Sequence, residues 1–277
     1  MAKLSKFEIE SYQAKGYVVP NHKIPDQMLE RLRQALEETI KSNPDVRPEQ
    51  LASIHTSKAG PSDTKGHSTF LEVALDAGLV DLVSGVLGPN IIMWGAQLFC
   101  KPGKDGMEVP MHQDGQYWPI RPLATCTMWL ALDTADRNNG CLEVIPGSHK
   151  KEIHYQHKTE ERGDLVLNQS VNDPRIHSLD SVFIELEAGQ LSLHDVFLVH
   201  GSRPNRSGRR RAGFVVRYMP TSSVLCRDMN IPFAGYPVNW STKPLWLVSG
   251  KDVSGKNDLA IGHPQTPTSV ARSLGGR

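Results

Sequence analysis

From Pro89 onward the sequence is a series of short β-rich segments separated by Gly, Pro and Asn, and this texture limits the fold more than any other feature. The segments are IIMWGAQLFCK, TCTMWLALD, CLEVIPGS, SVFIELEAGQLSLHDVFLVHGS and RAGFVVRYMP. Short strands with turn signals between them predict a sandwich or a barrel. Because the first ninety residues carry helical patterns, we expect a mainly β protein in which flanking helices pack around an antiparallel, jelly-roll-like core.

Three helices are predicted in the N-terminal part. SKFEIESYQAKG has Ser5 as its N-cap and ends at Gly16. PDQMLERLRQALEETIKSN places apolar residues at helical spacing. STFLEVALDAGLVDLVSGVLG predicts one further helix, which Ser68 caps and Gly88 ends.

The chain has no internal repeat, and we interpret residues 1–277 as a single domain. Its mainly helical N-terminal part is residues 1–88, and its jelly-roll core is residues 89–220. Residues 221–249 are a candidate substrate-covering segment. Residues 250–277 have few large apolar side chains and many Gly, Ser, Thr and Pro, which predicts a loosely attached tail.

Composition and charge exclude several classes of protein. The 31 basic and 30 acidic residues give a formal net charge of +1, so bulk electrostatics favour neither a nucleic-acid partner nor a membrane-surface partner. The four cysteines are scattered and form no CxxC pair, which fits a reducing compartment. No apolar run approaches about 18 residues. These features predict a soluble, cytoplasmic protein with a small-molecule partner, and they leave its oligomeric state open.

The segment VPMHQDGQYWP contains a histidine and an aspartate two residues apart, His112 and Asp114. On a strand the two side chains would point to the same face, while Gln113 would point away. One imidazole and one carboxylate are two of the three ligands of an open metal site. The pair alone is a weak signal, so the sequence must supply a third ligand.

Most of the other histidines lie in polar stretches where no rigid strand directs them; these are His22, His55, His67, His154, His157, His177 and His263. His149 follows a strand and a turn and is interpreted as a surface or supporting residue. His194 and His200 have the same parity on one predicted strand. We favour His200 as the ligand, because Gly201 lets the backbone turn tightly beside it. His194 is interpreted as a core or supporting histidine.

Together, His112, Asp114 and His200 form the two-histidine, one-carboxylate set that suits non-haem Fe(II) in oxygenases. The same three ligands can hold Zn(II) with an activated water for hydrolysis. The triad therefore predicts a catalytic metal and leaves the reaction open.

Arg211 favours the oxygenase. It lies eleven residues after the predicted third ligand and begins the strand RAGFVVRYMP. A guanidinium that faces the metal cavity can bind the distal carboxylate of a 2-oxo acid co-substrate, whereas a hydrolase has no obvious use for it. Arg209 and Arg210 are expected to lie in solvent, and alternation turns Arg211, Gly213 and Val215 to one face.

These residues resemble the phytanoyl-CoA dioxygenase (PhyH-like) family of Fe(II)- and 2-oxoglutarate-dependent oxygenases. The resemblance covers roughly residues 5–220. Its strongest part is MHQDGQYWPIRPLATCTMWLALDTADRNNGCLEVIPGSHK. VHGSRPNRSGRRRAGF is similar to the family's distal-histidine segment, and GYVVP is similar to its N-terminal opening.

The resemblance implies a double-stranded β-helix (jelly roll, cupin-like) with Fe(II) as the metal and 2-oxoglutarate and O2 as co-substrates. It also implies that Arg211 binds the distal carboxylate of 2-oxoglutarate with help from Ser202, and that Trp129 lines the same pocket. Lys58 is a loose match to a polar residue that the family uses upstream of the core strands. Because Asp114 is present, the resemblance implies hydroxylation and not halogenation.

The substrate is less constrained. Tyr117, Trp118 and Arg121 follow the HxD segment and are the candidate substrate-binding residues, and Trp240 and Trp246 could fold over the cavity. Aromatic rings with an arginine suit a small polar or zwitterionic metabolite, such as an amino acid derivative, a quaternary amine or an organophosphonate. An acyl-CoA or other lipid-like substrate is the alternative. A zinc hydrolase and a non-catalytic jelly-roll binding protein are the alternatives from other classes.

Overall fold

The computed structural model describes residues 2–56, 64–229 and 239–263. Its helices are α1 (Lys6–Lys15), α2 (Asp26–Ser42), α3 (Ser68–Ala74), α4 (Ala77–Leu87) and α5 (Pro174–His177), with 3-10 helices at Pro48–Gln50 and Asp114–Tyr117. In the described part of the chain, no helix combines the length and the apolar character needed to cross a lipid bilayer.

Two antiparallel sheets form the core. The strands of the larger sheet are β1 (Tyr17–Val18), β2 (Ile91–Lys101), β5 (Cys126–Ala131), β10 (Leu191–Asp195), β12 (Arg211–Pro220) and β14 (Trp246–Ser249). They lie in the order β1-β10-β5-β12-β2-β14. The strands of the smaller sheet are β3 (Val109–His112), β6 (Leu142–Val144), β9 (Val182–Ile184) and β11 (His200–Ser202). They lie in the order β3-β11-β6-β9.

Two further pairs of strands lie outside these sheets. β4 (Ile120–Arg121) pairs with β13 (Val224–Leu225), and β7 (His157–Thr159) pairs with β8 (Gln169–Val171). The mainly β, jelly-roll fold predicted from the sequence is confirmed.

Alternation along β12 separates the core from the cavity. Phe214, Val216 and Tyr218 lie on the outer face of the larger sheet, where they are fully buried against the N-terminal helices. Arg211 and Arg217 face the other way and line a cavity between the two sheets. The strand therefore presents charged groups to the cavity while its other face contributes to the main hydrophobic core.

The prediction of one helix from Ser68 to Gly88 was wrong, because the segment forms two helices. His67, and not Ser68, is the N-cap of α3. Asp76 then starts α4, its carboxylate accepting a hydrogen bond from the backbone of Leu79. An aspartate side chain can accept a hydrogen bond from a nearby backbone N–H and so replace a bond of the continuing helix, which ends one helix and begins another.

The segment containing His194 and His200 also differs from the prediction. It forms two strands in different sheets, β10 and β11, and not one. The described part of the expected tail is held by hydrogen bonds. The Asn257 side chain donates to the carbonyls of Thr221 and Ser223, and the Lys251 backbone donates to Asn90. Residues 250–263 are therefore more firmly attached than the composition suggested.

Candidate active site

His112, Asp114 and His200 converge at the centre of the cavity. His200 lies directly opposite His112 across the β3–β11 pair, and the centroids of the two rings are 4.4 Å apart. His112 Nε2 is 3.5 Å from Asp114 Oδ1. One ligand atom from each residue lies within 4.8 Å of the other two, and all three side chains are buried. A single metal ion can therefore bind all three.

The backbone orients both imidazoles toward the metal position. His112 Nδ1 is 2.8 Å from the carbonyl of Pro110, and His200 Nδ1 is 3.0 Å from the carbonyl of Leu198. A carbonyl only accepts, so each Nδ1 must carry the proton, which leaves each Nε2 with a lone pair for a metal.

The sequence argument assumed that Asp114 lies on the same strand as His112, but it does not. β3 ends at His112, and Asp114 begins the 3-10 helix that follows. Gln113 points away from the site as predicted: its amide donates to the carbonyls of Ile153 and Phe197, and its oxygen accepts from the backbone of Tyr155. These bonds hold the turn and so place the carboxylate beside His112.

The electrostatics of the site keep the ligands in the forms that bind a metal. Burial raises the pKa of the Asp114 carboxyl, but its contact with His112 and its interactions with His200 and Arg217 outweigh burial, so its pKa lies well below the usual range. Burial and the neighbouring His112 lower the pKa of His200 to about 4. At neutral pH the site offers one carboxylate and a neutral His200 imidazole, a donor set that fits Fe(II).

His194 is a fourth histidine beside the triad. Its ring centroid lies 4.6 Å from that of His200, and its Nε2 lies 4.0 Å from Asp114 Oδ2. Its side chain is buried, and neither ring nitrogen has a hydrogen-bond partner. Burial lowers the pKa of His194 well below its ordinary value, so the ring is neutral. It lines the cavity as a supporting group and is not one of the clustered ligands.

Arg211 forms one end of the cavity. Its Nε donates to the carbonyl of Gly140 at 2.9 Å and its Nη1 to that of Phe99 at 2.8 Å. Its Nη2 is 3.5 Å from Ser202 Oγ, and its guanidinium lies 5.4 Å from the centroid of the Trp129 ring. Burial lowers the pKa of Arg211 to about 10, so it stays charged at neutral pH. The structure thus brings Arg211, Ser202 and Trp129 together beside the triad.

The expectation that the other two arginines of the run lie in solvent holds for Arg209 and only partly for Arg210. Arg209 is exposed and bonds to Asp136, and the half-buried Arg210 bonds to Asp133 and Glu37. Neither lines the cavity. Only Arg211 of the three consecutive arginines faces inward.

The predicted substrate residues divide into two groups. Tyr117 and Trp118 are buried and line the cavity. Arg121 does not, because its side chain is exposed and its guanidinium donates to the carbonyls of Trp118 and Ile120. This position does not support a role for Arg121 in gripping substrate. Lys58 lies outside the described residues.

The two tryptophans expected to cover the cavity also separate. Trp240 lines it. Trp246 lies on β14 and packs against the main core instead. Its ring meets that of His55 edge to face, with the two ring centroids 4.9 Å apart. His149 contacts the backbone of Gln13 on α1 and not the site.

Sequence reasoning missed two cations that line the cavity, Arg217 and Lys243. Arg217 has the same parity on β12 as Arg211, so strand alternation could have identified it. Lys243 follows Trp240 in an irregular segment, where no periodic signal exists.

Comparisons with known proteins agree with this site. The family model described as phytanoyl-CoA dioxygenase (PhyH) matches residues 12–213. A probable phytanoyl-CoA dioxygenase of Caenorhabditis elegans is 27% identical over 254 residues, covering 82% of this chain and 78% of that protein. A probable α-ketoglutarate-dependent hypophosphite dioxygenase of Stutzerimonas stutzeri is 31% identical over 142 residues, covering 50% of this chain and 49% of that protein.

Among solved structures, CytC3 with Fe(II) and α-ketoglutarate has a TM-score of 0.64 at 20% identity, covering 93% of this chain and 94% of that one. This likeness shows the same fold. With the family match over most of the chain, the buried triad and the inward-facing arginine, the assignment follows: the chain belongs to the phytanoyl-CoA dioxygenase (PhyH) family and is a dioxygenase dependent on Fe(II) and 2-oxoglutarate.

Proposed function

We propose that this enzyme hydroxylates an aliphatic C–H bond of a small polar or zwitterionic metabolite and releases succinate and CO2. The observation that carries the proposal is the division of the cavity. The triad lies between Arg211 with Ser202 at one end and a cluster of tryptophans with its own cations at the other. One end suits a dicarboxylate co-substrate, and the other remains for a second small molecule.

When bound, Fe(II) and 2-oxoglutarate would activate O2, which supplies the oxidising power for hydroxylation of an unactivated C–H bond. The chain's own residues bind and orient the reactants. His112, Asp114 and His200 would hold the metal from one side and leave the side toward the cavity open. Arg211 would hold the distal carboxylate of 2-oxoglutarate, with the Trp129 ring against its guanidinium. The aromatic lining excludes water from the reacting bond.

The lining of the cavity favours a small polar substrate over an acyl-CoA. The cavity has a volume of about 100 Å³ and opens toward solvent. The names of the two relatives cover both possibilities, a phytanoyl-CoA in one and the hypophosphite ion in the other. We infer that this chain is closer to the second case, because buried cations line its cavity. A reducing, cytoplasmic location is proposed with it, supported by four cysteines that are all free.

Two alternatives from other classes have less support. A zinc hydrolase would not need a buried arginine whose guanidinium faces the metal cavity beside a serine hydroxyl. A binding protein without activity would not need three metal-ligating side chains buried around one point. The hydrolase leaves the buried Arg211 without a purpose, and the binding protein leaves the triad without one.

The test is a screen of candidate substrates with purified enzyme, Fe(II), 2-oxoglutarate and O2, in which succinate and a hydroxylated product are both measured. A small polar substrate should give the two products in equal amounts, and His200→Ala should give neither. Long-chain acyl-CoA turnover with equal succinate release, and no turnover of any small metabolite, would overturn the proposed substrate class. Succinate release alone would not identify a substrate, so the product must be detected.

A further inference from the structure

The cavity also contains two cations, Arg217 and Lys243, that form no ion pair with a carboxylate of the described residues. Arg217 lies on β12, six residues beyond Arg211 and on the same face. At about 3.3 Å per residue, their Cα atoms are about 20 Å apart along the strand. The two side chains therefore enter the cavity from well-separated points on the strand.

The protein uses only part of the hydrogen-bonding capacity of Arg217. Its Nη2 donates to Gln97 Oε1 at 3.2 Å, and its Nε is buried without a hydrogen-bond partner. The guanidinium lies 5.3 Å from the Trp118 ring centroid and 5.9 Å from that of Trp94. The two rings thus lie within cation–π distance of the guanidinium, while its Nε donor stays unused.

Lys243 lies next to it. Its side chain is 5% exposed, and its Nζ is 5.4 Å from the Trp240 ring centroid and 5.8 Å from that of Trp94. A Cβ on Gly95 would come within 3.8 Å of Nζ, so the absent side chain of Gly95 leaves room beside the ammonium. Arg227 braces this segment by donating to the carbonyls of Trp240, Ser241 and Lys243.

Within the described residues, neither Arg217 nor Lys243 forms an ion pair with a carboxylate; the ion pairs there involve other cations. Arg217 helps to lower the pKa of the Asp114 carboxyl, but Asp114 would be a ligand of the metal. Burial, with the charges of Arg217 and Arg227, lowers the pKa of Lys243 to about 7. Buried unpaired cations are costly, and an incoming anion would remove that cost.

The charges of the loaded site lead to the same conclusion. A divalent metal, the Asp114 carboxylate, the Arg211 guanidinium and the two carboxylates of 2-oxoglutarate sum to zero. Among the residues that the structure describes, Arg217 and the protonated form of Lys243 are then left without a counter-charge. The aromatic faces nearby are already occupied by these two cations, so a quaternary ammonium group would meet repulsion and not a cation–π site.

We propose that Arg217 and Lys243 form an oxyanion subsite, framed by Trp94, Trp118 and Trp240, that binds the acidic group of the substrate. This narrows the proposed function, on which it rests, to small metabolites that carry a carboxylate, phosphonate, phosphinate or sulfonate. The acidic group binds between the two cations, and the chain's aromatic rings hold the carbon next to it. The target C–H bond then lies between this subsite and the triad.

The test is calorimetric binding of two simple oxyanions, methylphosphonate and propionate, to anaerobic enzyme loaded with Fe(II) and 2-oxoglutarate. At least one should bind, while tetramethylammonium should not. Arg217→Gln and Lys243→Met should each weaken binding about 10-fold or more, because each removes a charge-assisted contact. Arg217→Lys and Lys243→Arg keep the charge and should retain most of the binding. Arg121→Gln, an exposed arginine outside the cavity, is the matched control.

The affinity for 2-oxoglutarate is measured in the same samples, so that the two proposals can fail separately. Unchanged oxyanion affinity in both charge-removing variants, or no oxyanion binding to the wild type, would overturn the subsite. A loss confined to 2-oxoglutarate in those variants would also overturn it, because the two cations would then belong to the co-substrate site. Failure of the wild type to bind 2-oxoglutarate at all would instead refute the proposed function.

Discussion

Arg211 depends on contacts that only a planar, multi-donor cation can make together. Its Nε and Nη1 are used by the carbonyls of Gly140 and Phe99, and the Nη2 side faces Ser202 and the cavity. Two backbone bonds thus hold the guanidinium, and its remaining donors face the cavity, where we propose that 2-oxoglutarate binds. A lysine could supply the charge but not this geometry.

Arg211→Ala should therefore raise the KM for 2-oxoglutarate about 10- to 100-fold, the equivalent of one or two charge-assisted hydrogen bonds. Fe(II) affinity should change little, because the triad is separate from Arg211. Steady-state kinetics and an anaerobic metal titration measure the two effects. Arg206→Ala, an exposed arginine of the same run, is the control. An unchanged KM in the Arg211 variant would mean that a different cation binds the co-substrate.

Gly213 supports the same site because it has no side chain where the Trp129 ring lies. A Cβ at this position would lie 2.2 Å from Cζ2 of Trp129, the ring that packs against Arg211. Gly213→Ala should therefore displace the ring, destabilise the protein by about 1–3 kcal/mol and raise the KM for 2-oxoglutarate. Thermal melting and kinetics check both effects. Gly208→Ala should be neutral, since nothing lies within 4 Å of its Cβ position, and equal behaviour of the two variants would contradict the argument.

At the scale of elements, α3 and α4 show where periodicity alone misleads. Apolar spacing continues through the segment, yet Asp76 caps a new helix by accepting from Leu79. Asp76→Ala should cost about 1 kcal/mol of stability, whereas Asp76→Asn should retain most of it because the amide oxygen can still accept. Chemical denaturation measures the difference. Equal losses in the two variants would show that the carboxylate charge matters more than the cap.

β10 ends in a carboxylate that burial makes sensitive to pH. Burial raises the pKa of Asp195 to about 6, although its Oδ1 accepts from the backbone of Phe197 at 2.8 Å. The folded state therefore holds this proton more tightly than the unfolded state does. The penalty for the charged form is complete above pH 6 and disappears as the pH falls toward 4.

Asp195→Asn keeps the acceptor for Phe197 and removes the charge. The shift is equivalent to at most about 3 kcal/mol, and partial access of solvent reduces it to about 1–2 kcal/mol. The variant should thus be more stable than the wild type at pH 8 and equally stable near pH 4. Urea unfolding at the two pH values tests this. An equal gain at both values, or a loss at pH 8, would be inconsistent with a buried charge at this position.

At the scale of the whole molecule, strand alternation and turn residues predicted most of the fold. β2 and β12 have the bounds that their sequence segments suggested, and α1 begins after Ser5 and ends before Gly16 as expected. The break between β10 and β11 was not predicted, because it depends on pairing with two different sheets. Tertiary pairing of this kind leaves no local pattern in the sequence.

The candidate site was predictable to a similar degree. The metal ligands and Arg211 lie on or next to strands, where parity gives the direction of a side chain. Arg217 could have been found by the same rule, but Lys243 enters the cavity from an irregular segment whose path only the fold determines. The predicted role of Arg121 rested on sequence proximity alone, and the turn carries its side chain out to solvent.

The most direct test of the central claim is an anaerobic titration of the purified protein with Fe(II) and 2-oxoglutarate, followed by visible absorption. If His112, Asp114 and His200 hold one ferrous ion with open positions for a 2-oxo acid, a metal-to-ligand charge-transfer band should appear and saturate at one Fe(II) per chain. His200→Ala should abolish it. A wild-type protein that shows no band, and that binds Zn(II) tightly instead, would contradict the account.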